Sequence, residues 1–337
     1  MKNILGLIVL GLCQTGLFAQ EMVTSIDDLI GALDIQSKNV QNIKITSEMR
    51  EQTFDPNNSK WVNSGYFVLQ TLTLASNDVN GRLRLDVPQR IAPWAPPKYP
   101  FSEENYTVTF DGNKYLGLYH AMGVPDRKPL TPLKEGEISQ TRSAYVNGGV
   151  NASGILFCSL YYGGIRCDPE VELKLKSAQA FRYYQGPQHQ SLYHLEYVPD
   201  ADNLYLEVSS VKESNTMKWR LDPARGYALI KYEFIWNSPA PHMVAQVEVT
   251  RQIDCGSGFW YPGHIVYTYL SNTRYVYDIK EVKINQAPLP ANFFTQEIPV
   301  GYRIDDKINN KIFVKAPDPG TMQKNLDDMV EYLKKNK

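Results

Sequence analysis

Residues 25–54 read SIDDLIGALDIQSKNVQNIKITSEMREQTF, and a change of period inside this stretch decides the fold. Ile26, Leu29, Ile30 and Leu33 recur at intervals of three and four, the apolar stripe of a helix. Ser25 stands where a cap belongs, and Asp28 lies near the positive end of the helix dipole. Val40 and Ile43 extend the stripe. At Ile43-Lys44-Ile45-Thr46 the period falls to two, so a strand runs on to about Phe54. Asp55-Pro56-Asn57-Asn58 is turn chemistry, and residues 61–75 return from it as a long strand.

Further strands are expected at 82–87, 105–110, 114–119, 171–176, 179–184, 191–198, 203–211, 216–221, 227–236, 243–252, 259–270 and 273–284. The turns between them are rich in Asp, Asn, Pro and Gly, as in Asp111-Gly112-Asn113 and Asp222-Pro223-Ala224-Arg225-Gly226. Connections this short join antiparallel neighbours, because parallel ones need a crossover. Strict alternation in 226–236 puts Ala228, Ile230, Tyr232, Phe234 and Trp236 on one face, and Tyr227, Leu229, Lys231, Glu233 and Ile235 on the other. Both faces carry apolar residues, so each needs cover. Asp318-Pro319 opens a second helix, with Met322, Leu326, Met329, Val330 and Leu333 on one stripe and Lys334 and Lys335 near its negative end.

The expected architecture is mainly β, of the α+β class. A curved antiparallel sheet or incomplete β-barrel wraps over the N-terminal helix, and a C-terminal helix follows at about 319–335. Two Pro-rich insertions interrupt the strands, 87–101 with Trp94 and Tyr99 among five prolines, and 120–154. Nothing else divides residues 20–337, which read as one domain.

Composition bounds function. Of 337 residues, 43% are hydrophobic and 21% charged, which excludes a disordered polymer and a disulfide-dense miniprotein. The 35 basic and 36 acidic side chains leave no basic footprint for nucleic acid. Residues 1–19 have the build of an export signal: Lys2, an apolar run from Ile4 to Leu12, and Leu17-Phe18-Ala19 before a cleavage site. No other stretch approaches the ~20 apolar residues of a transmembrane helix. The mature chain is expected to be periplasmic or secreted. Loss of Cys13 with the signal leaves Cys158, Cys167 and Cys255. In an oxidising compartment Cys158 and Cys167 form the natural pair if the chain folds back at Tyr162-Gly163, a bridge contributing on the order of 2–3 kcal/mol. The competing picture makes 155–162 a short helix stopped by Gly163-Gly164. Cys255 then reads as a buried apolar residue.

The order of signal, amphipathic helix and long strands resembles the periplasmic lipoprotein-carrier and outer-membrane lipoprotein-sorting superfamily. So do Gly81-Arg82-Leu83-Arg84-Leu85-Asp86, the hairpin Phe110-Asp111-Gly112-Asn113 followed by Tyr115 and Tyr119, and the later hairpin from Trp219 to Tyr227. The downstream part is similar to secreted relatives with Trp260-Tyr261-Pro262 and with Phe293-Phe294-Thr295 leading to 298–306. The resemblance implies an incomplete barrel over helices with an apolar cavity for acyl chains. It also makes Arg82, Arg84 and Arg90 candidates for the family's lid-controlling arginine.

Motifs for catalysis are missing: no G-x-S-x-G elbow, H-E-x-x-H pair, phosphate loop or dinucleotide fingerprint occurs. His189 and His194 fall on opposite faces of a regular strand, and Asp200, Asp202 and Asn203 read as a solvated hairpin tip. Asp305-Asp306 with Asn309-Asn310 reads as a hairpin end. No cofactor and no metal are expected. Ile30 and Leu33 on the helix, with Trp94, Tyr99, Tyr161, Tyr162, Trp260 and Tyr261, are the candidate lining or mouth of a ligand cavity. The leading reading is an exported, non-catalytic protein that holds a lipid or an acylated protein's chain, with an envelope protein as a further partner. The alternatives are a secreted scaffold with a packed core, and a hydrolase with scattered residues in which Ser257 is the first nucleophile to test.

Overall fold

The computed structural model describes residues 22–29, 31–32, 40–75, 82–92, 102–122, 133–140, 193–201, 203–211, 214–256, 258–270, 272–287, 289–290 and 292–335. Their centrepiece is one open sheet of fifteen strands, curved and not closed into a barrel. In chain order the strands are β1 (Asn42–Asp55), β2 (Lys60–Ala75), β3 (Arg82–Ala92), β4 (Ser102–Phe110), β5 (Tyr115–Met122) and β6 (Leu133–Ser139). Then come β7 (Tyr193–Asp200), β8 (Asn203–Val211), β9 (Asn215–Asp222), β10 (Ala228–Trp236), β11 (His242–Asp254), β12 (Trp260–Tyr269) and β13 (Thr273–Ile284). Two short strands, β14 (Arg303–Asp306) and β15 (Lys311–Val314), precede the C-terminal helix (Pro319–Lys335). The spatial order runs β15-β14-β6-β5-β4-β3-β2-β1-β13-β12-β11-β10-β9-β8-β7. The central pairing of β1 with β13 joins two antiparallel meanders.

The stretch that opens the sequence folds as its periods dictate. Residues 26–29 and 31–32 are helical. A reciprocal cap starts them: Asp28 N–H donates to Ser25 Oγ (3.1 Å), and Ser25 N–H donates to Asp28 Oδ2 (3.0 Å). Those bonds hold the Asp28 carboxyl below its ordinary pKa. β1 then alternates without a break, burying Ile43, Ile45, Ser47 and Met49.

Ile26 and Leu29 belong to one core with Ile45, Leu72, Leu85, Val108, Val247 and Tyr277, which defines the inner face of the sheet. Antiparallel order sets the turns of β1–β2, β8–β9, β10–β11 and β12–β13 at one end, here the upper end. The turns of β4–β5, β9–β10 and β11–β12 lie at the lower end. The N-terminal segment is pinned at the lower end on both sides. The Val23 backbone hydrogen-bonds Tyr227, next to the β9–β10 turn. Gln41 N–H donates to Asn285 Oδ1 (2.7 Å), just past β13.

Three departures from the sequence reading have physical causes. First, the sheet is mixed, because β14 pairs with β6 in parallel. The chain between β13 and β14 crosses the outer face to get there. Arg84 Nη1 donates to Phe293 O (3.2 Å), and Gln296 Nε2 donates to Leu116 O (2.8 Å). Arg84 and Arg82 stack over Phe293 and Phe294. Second, β6 forms within the segment 120–154 that shows little periodicity. Its Gly136 and Glu137 break the apolar alternation, and the strand is held by β5 and β14 on either side. Third, a bulge between Leu229 and Lys231 shifts the register of β10, so Leu229 and Tyr232 both reach the core. Strict alternation had set them on opposite faces. The segments 171–176 and 179–184 lie outside the described residues.

Candidate functional site

The inner face is apolar on every strand from β4 to β8 in spatial order, and its cover is uneven. Near the middle and lower end Trp219, Tyr115, Tyr232, Tyr261 and Tyr277 are fully buried. Towards the upper end Tyr119, Tyr193, Phe234, Tyr267 and Tyr275 are only partly buried, though packed against the same core. β1 is 14 residues long, so the face extends for about 45 Å along the strands. The described helical residues, 26–29 and 31–32, belong to a segment held at the lower end through Val23 and Gln41. The half-covered aromatic shelf is the upper part of the same apolar surface.

Tyr267 and Tyr275 are directly opposite across the β12–β13 pair, and their rings stack at 6.1 Å with 19° between planes. The floor beside them is Val247, Val249, Ile265 and Met49, each buried. Burial pushes the hydroxyl pKa of Tyr193 and Tyr232 upward, so both stay protonated and neutral. The shelf therefore presents carbon surface and neutral hydroxyls. A long alkyl chain gains about 0.8 kcal/mol per buried CH₂ on such a surface and needs few directed polar contacts.

One polar pair interrupts the floor. Gln70 Nε2 donates to Ser47 Oγ (3.2 Å), and both residues are fully buried in the middle of the inner face. Gln70 Oε1 has no hydrogen-bond partner. A buried acceptor in that state costs about 1–3 kcal/mol.

Among the expected site residues, Tyr261 is fully buried on the inner face, whereas its neighbour Trp260 points to the outer face. There the Arg225 guanidinium stacks on the Trp260 ring at 5.3 Å. Ile30, Leu33, Trp94, Tyr99, Tyr161 and Tyr162 lie outside the described residues, as do Cys158, Cys167, Ser257 and the segment 1–19. The strands joined by segment 93–101, β3 and β4, meet at the upper end, where Ala92 pairs with Ser102. Arg82 and Arg84 alternate with the core residues Leu83 and Leu85, so they face away from the helix. Their partners are Phe293, Phe294 and Asp86, the last at 2.8 Å from Arg84 Nε. A lid-controlling role over the inner face does not fit that placement.

Cys255 is a free thiol packed against the core, with its pKa pushed up to about 11 by burial and, secondarily, by Asp254. Asp306 caps the β14–β15 turn, accepting from Asn309 N–H (3.0 Å) and Asn309 Nδ2 (2.8 Å), as its hairpin reading requires. Asp200 accepts from Arg220 at 3.0 Å. No group of three or more His, Cys, Asp or Glu able to hold a metal occurs among the described residues. No described helix is long and apolar enough to cross a membrane.

The residues that form the shelf escaped the sequence reading. Alternation in 259–270 and 273–284 was the available signal, because it puts Tyr267 and Tyr275 on the core-facing side of facing strands. Their incomplete cover is a tertiary property.

No family model matches the chain, and no curated protein matches it. Solved structures do. A DUF1329 family protein from Desulfovibrio piger is 10% identical, with a TM-score of 0.41 over 81% of this chain and 98% of that one. A β-barrel-like protein of the domain of unknown function DUF1849, from Brucella abortus, is 7% identical, with a TM-score of 0.24 over 74% of this chain and 99% of that one. An outer membrane lipoprotein-sorting protein domain from Vibrio parahaemolyticus is 7% identical, with a TM-score of 0.43 over 80% of this chain and 95% of that one. The chain is similar in fold to each of these three.

Proposed function

We propose that this is an exported, non-catalytic protein that holds a lipid or a lipoprotein's acyl chain against the upper part of its inner face. One observation carries the reading: an apolar face, interrupted by the Ser47–Gln70 pair, on which Tyr119, Phe234, Tyr267 and Tyr275 towards the upper end are only partly buried against a core that buries Trp219, Tyr115, Tyr232, Tyr261 and Tyr277 completely. An aliphatic ligand laid along Tyr119, Phe234, Tyr267 and Tyr275 completes the burial that the chain's own helix begins. The test is titration of the purified protein with a dansylated fatty acid, backed by mass spectrometry of organic extracts. Saturable, blue-shifted emission is expected, weakened about tenfold or more by Tyr267→Asp with Tyr275→Asp. Absence of saturable emission and of co-purifying lipid overturns the reading.

A second reading, a secreted scaffold with a packed interior, draws on the complete burial of Trp219, Tyr115, Tyr232, Tyr261 and Tyr277. The same titration separates the two, since a filled interior gives no saturable signal.

A further inference from the structure

The large apolar side chains that the hairpins expose are unequally divided between the two ends of the sheet. At the upper end Phe54, Val62, Val211, Trp236, Tyr269 and Leu270 are between 39% and 57% exposed. Among the described hairpin residues, the lower end has Leu204 on one edge of the sheet, and Ile308 and Ile312 on the other. The upper set is not scattered. Trp61 meets Phe54 edge-on at 5.4 Å, and Trp236 meets His242 edge-on at 5.6 Å. Backbone bonds stitch the turns to one another: Phe54 N–H to Asn272 O (3.0 Å), Leu270 N–H to Val244 O (2.9 Å) and Asn237 N–H to Ser214 O (3.0 Å). The result is a firm row of anchors running from β2 to β8.

We infer that this upper rim docks the protein on the surface of a lipid bilayer. The inference rests on the acyl-binding reading and extends it, because the rim borders the half-covered aromatic shelf. Three features select a bilayer over a protein partner. The anchors form a line along strand tips rather than a compact patch, which suits contact with a plane. Their chemistry is that of the membrane interface, with Trp, Tyr and Phe beside aliphatic groups. Cations accompany them: Lys60 begins β2, and the Arg274 guanidinium stacks on Trp61 at 4.6 Å. The acid at the same turn, Asp55, is kept ionised by Asn58 Nδ2 (2.7 Å) and Asn57 N–H (2.9 Å), so Lys60, Arg274 and Asp55 together leave one positive charge in excess. Cationic and aromatic groups at the tips complement anionic headgroups.

The test is vesicle flotation of the full mature chain with phosphatidylethanolamine–phosphatidylglycerol vesicles and, separately, with phosphatidylcholine vesicles. The wild type floats with the first, and more weakly with the second. Changing Phe54→Ser, Val62→Ser, Trp236→Ser and Leu270→Ser together lowers bound protein about tenfold or more. These side chains are exposed, so circular dichroism and dansylated fatty acid binding in the absence of vesicles stay at wild-type values. Loss of fatty acid binding in the wild type itself counts against the acyl reading, whatever the flotation shows. Flotation of the fourfold variant at the wild-type level overturns the rim proposal. So does failure of the wild type to float with either vesicle. Loss of flotation on Leu326→Glu with Met329→Glu, with the fourfold variant unaffected, assigns membrane contact to the C-terminal helix and overturns it as well.

Discussion

Gly136 holds the junction on which the far edge of the sheet depends, and its replacement by alanine has a calculable cost. On β6 it faces Leu118 of β5 on one side and Ile304 of β14 on the other. A Cβ built there falls 2.6 Å from Ile304 Cδ1, 2.8 Å from Leu118 Cδ2 and 2.9 Å from the carbonyl oxygen of Gly117. Two of these contacts are tips of flexible side chains and relax by rotation. The carbonyl oxygen is bonded into the sheet and does not. Overpacking of this kind costs about 1–3 kcal/mol. Ile304 is fully buried, so Ile304→Ala alone costs about 2–5 kcal/mol. In urea unfolding, Gly136→Ala is expected to lower stability within the first range. The double variant should be less destabilised than the sum of the singles, by about 1 kcal/mol, because removing Ile304 vacates the space the new methyl group needs. Native-state hydrogen exchange should show the loss first at the amides of β14. Strict additivity, or a Gly136→Ala variant within about 0.5 kcal/mol of wild type, refutes the close-approach argument.

The other expectations follow from burial and charge. Burial raises the Glu137 carboxyl pKa, opposed by Lys307. Its neutral form therefore contributes stability below the ordinary glutamate range, and that contribution is lost as pH rises through the raised folded value. Glu137→Gln should stabilise the protein at neutral pH and flatten the pH dependence of its urea midpoint over that window; an unchanged slope refutes it. With its pKa near 11, Cys255 should react with iodoacetamide at pH 8 on the order of a hundredfold more slowly than a free cysteine, as followed by peptide mapping, and unfolding should abolish the difference. Arg84→Ala removes the bonds to Asp86 and Phe293 O together with the stacking on Phe293. It should cost about 1–3 kcal/mol and raise protease cleavage within 285–301; an unaltered cleavage pattern refutes the bracing role. The apolar stripe of the C-terminal helix is exposed, so Leu326→Glu should leave global stability within about 0.5 kcal/mol, measured by thermal unfolding.

Local periodicity was enough for the two helices and for most of the strands. The switch at Ile43 marks the start of β1 within one residue because backbone pattern and side-chain alternation are local properties. The same holds for the caps at Ser25 and Asp318, where short side chains bond amides three positions on. The C-terminal stripe at Met322, Leu326 and Met329 was also legible, but not that it stays uncovered. β6 and β14 were not legible as strands in one sheet, because a parallel edge pairing between residues some 170 apart leaves no local trace. Nor was the direction of Arg82 and Arg84, since alternation separates two faces without saying which one a helix covers.

By itself, the sequence determined the two helices, most of the described strands, the antiparallel meanders and the apolar character of the chain's buried side, because each follows from residue types a few positions apart. Tertiary structure alone decided that β14 joins the sheet in parallel beside β6, that a strap crosses its outer face, and that Tyr119, Phe234, Tyr267 and Tyr275 stay partly covered. Those outcomes depend on which distant strands and loops meet. Contacts between remote segments carry that information, and no window of sequence contains it.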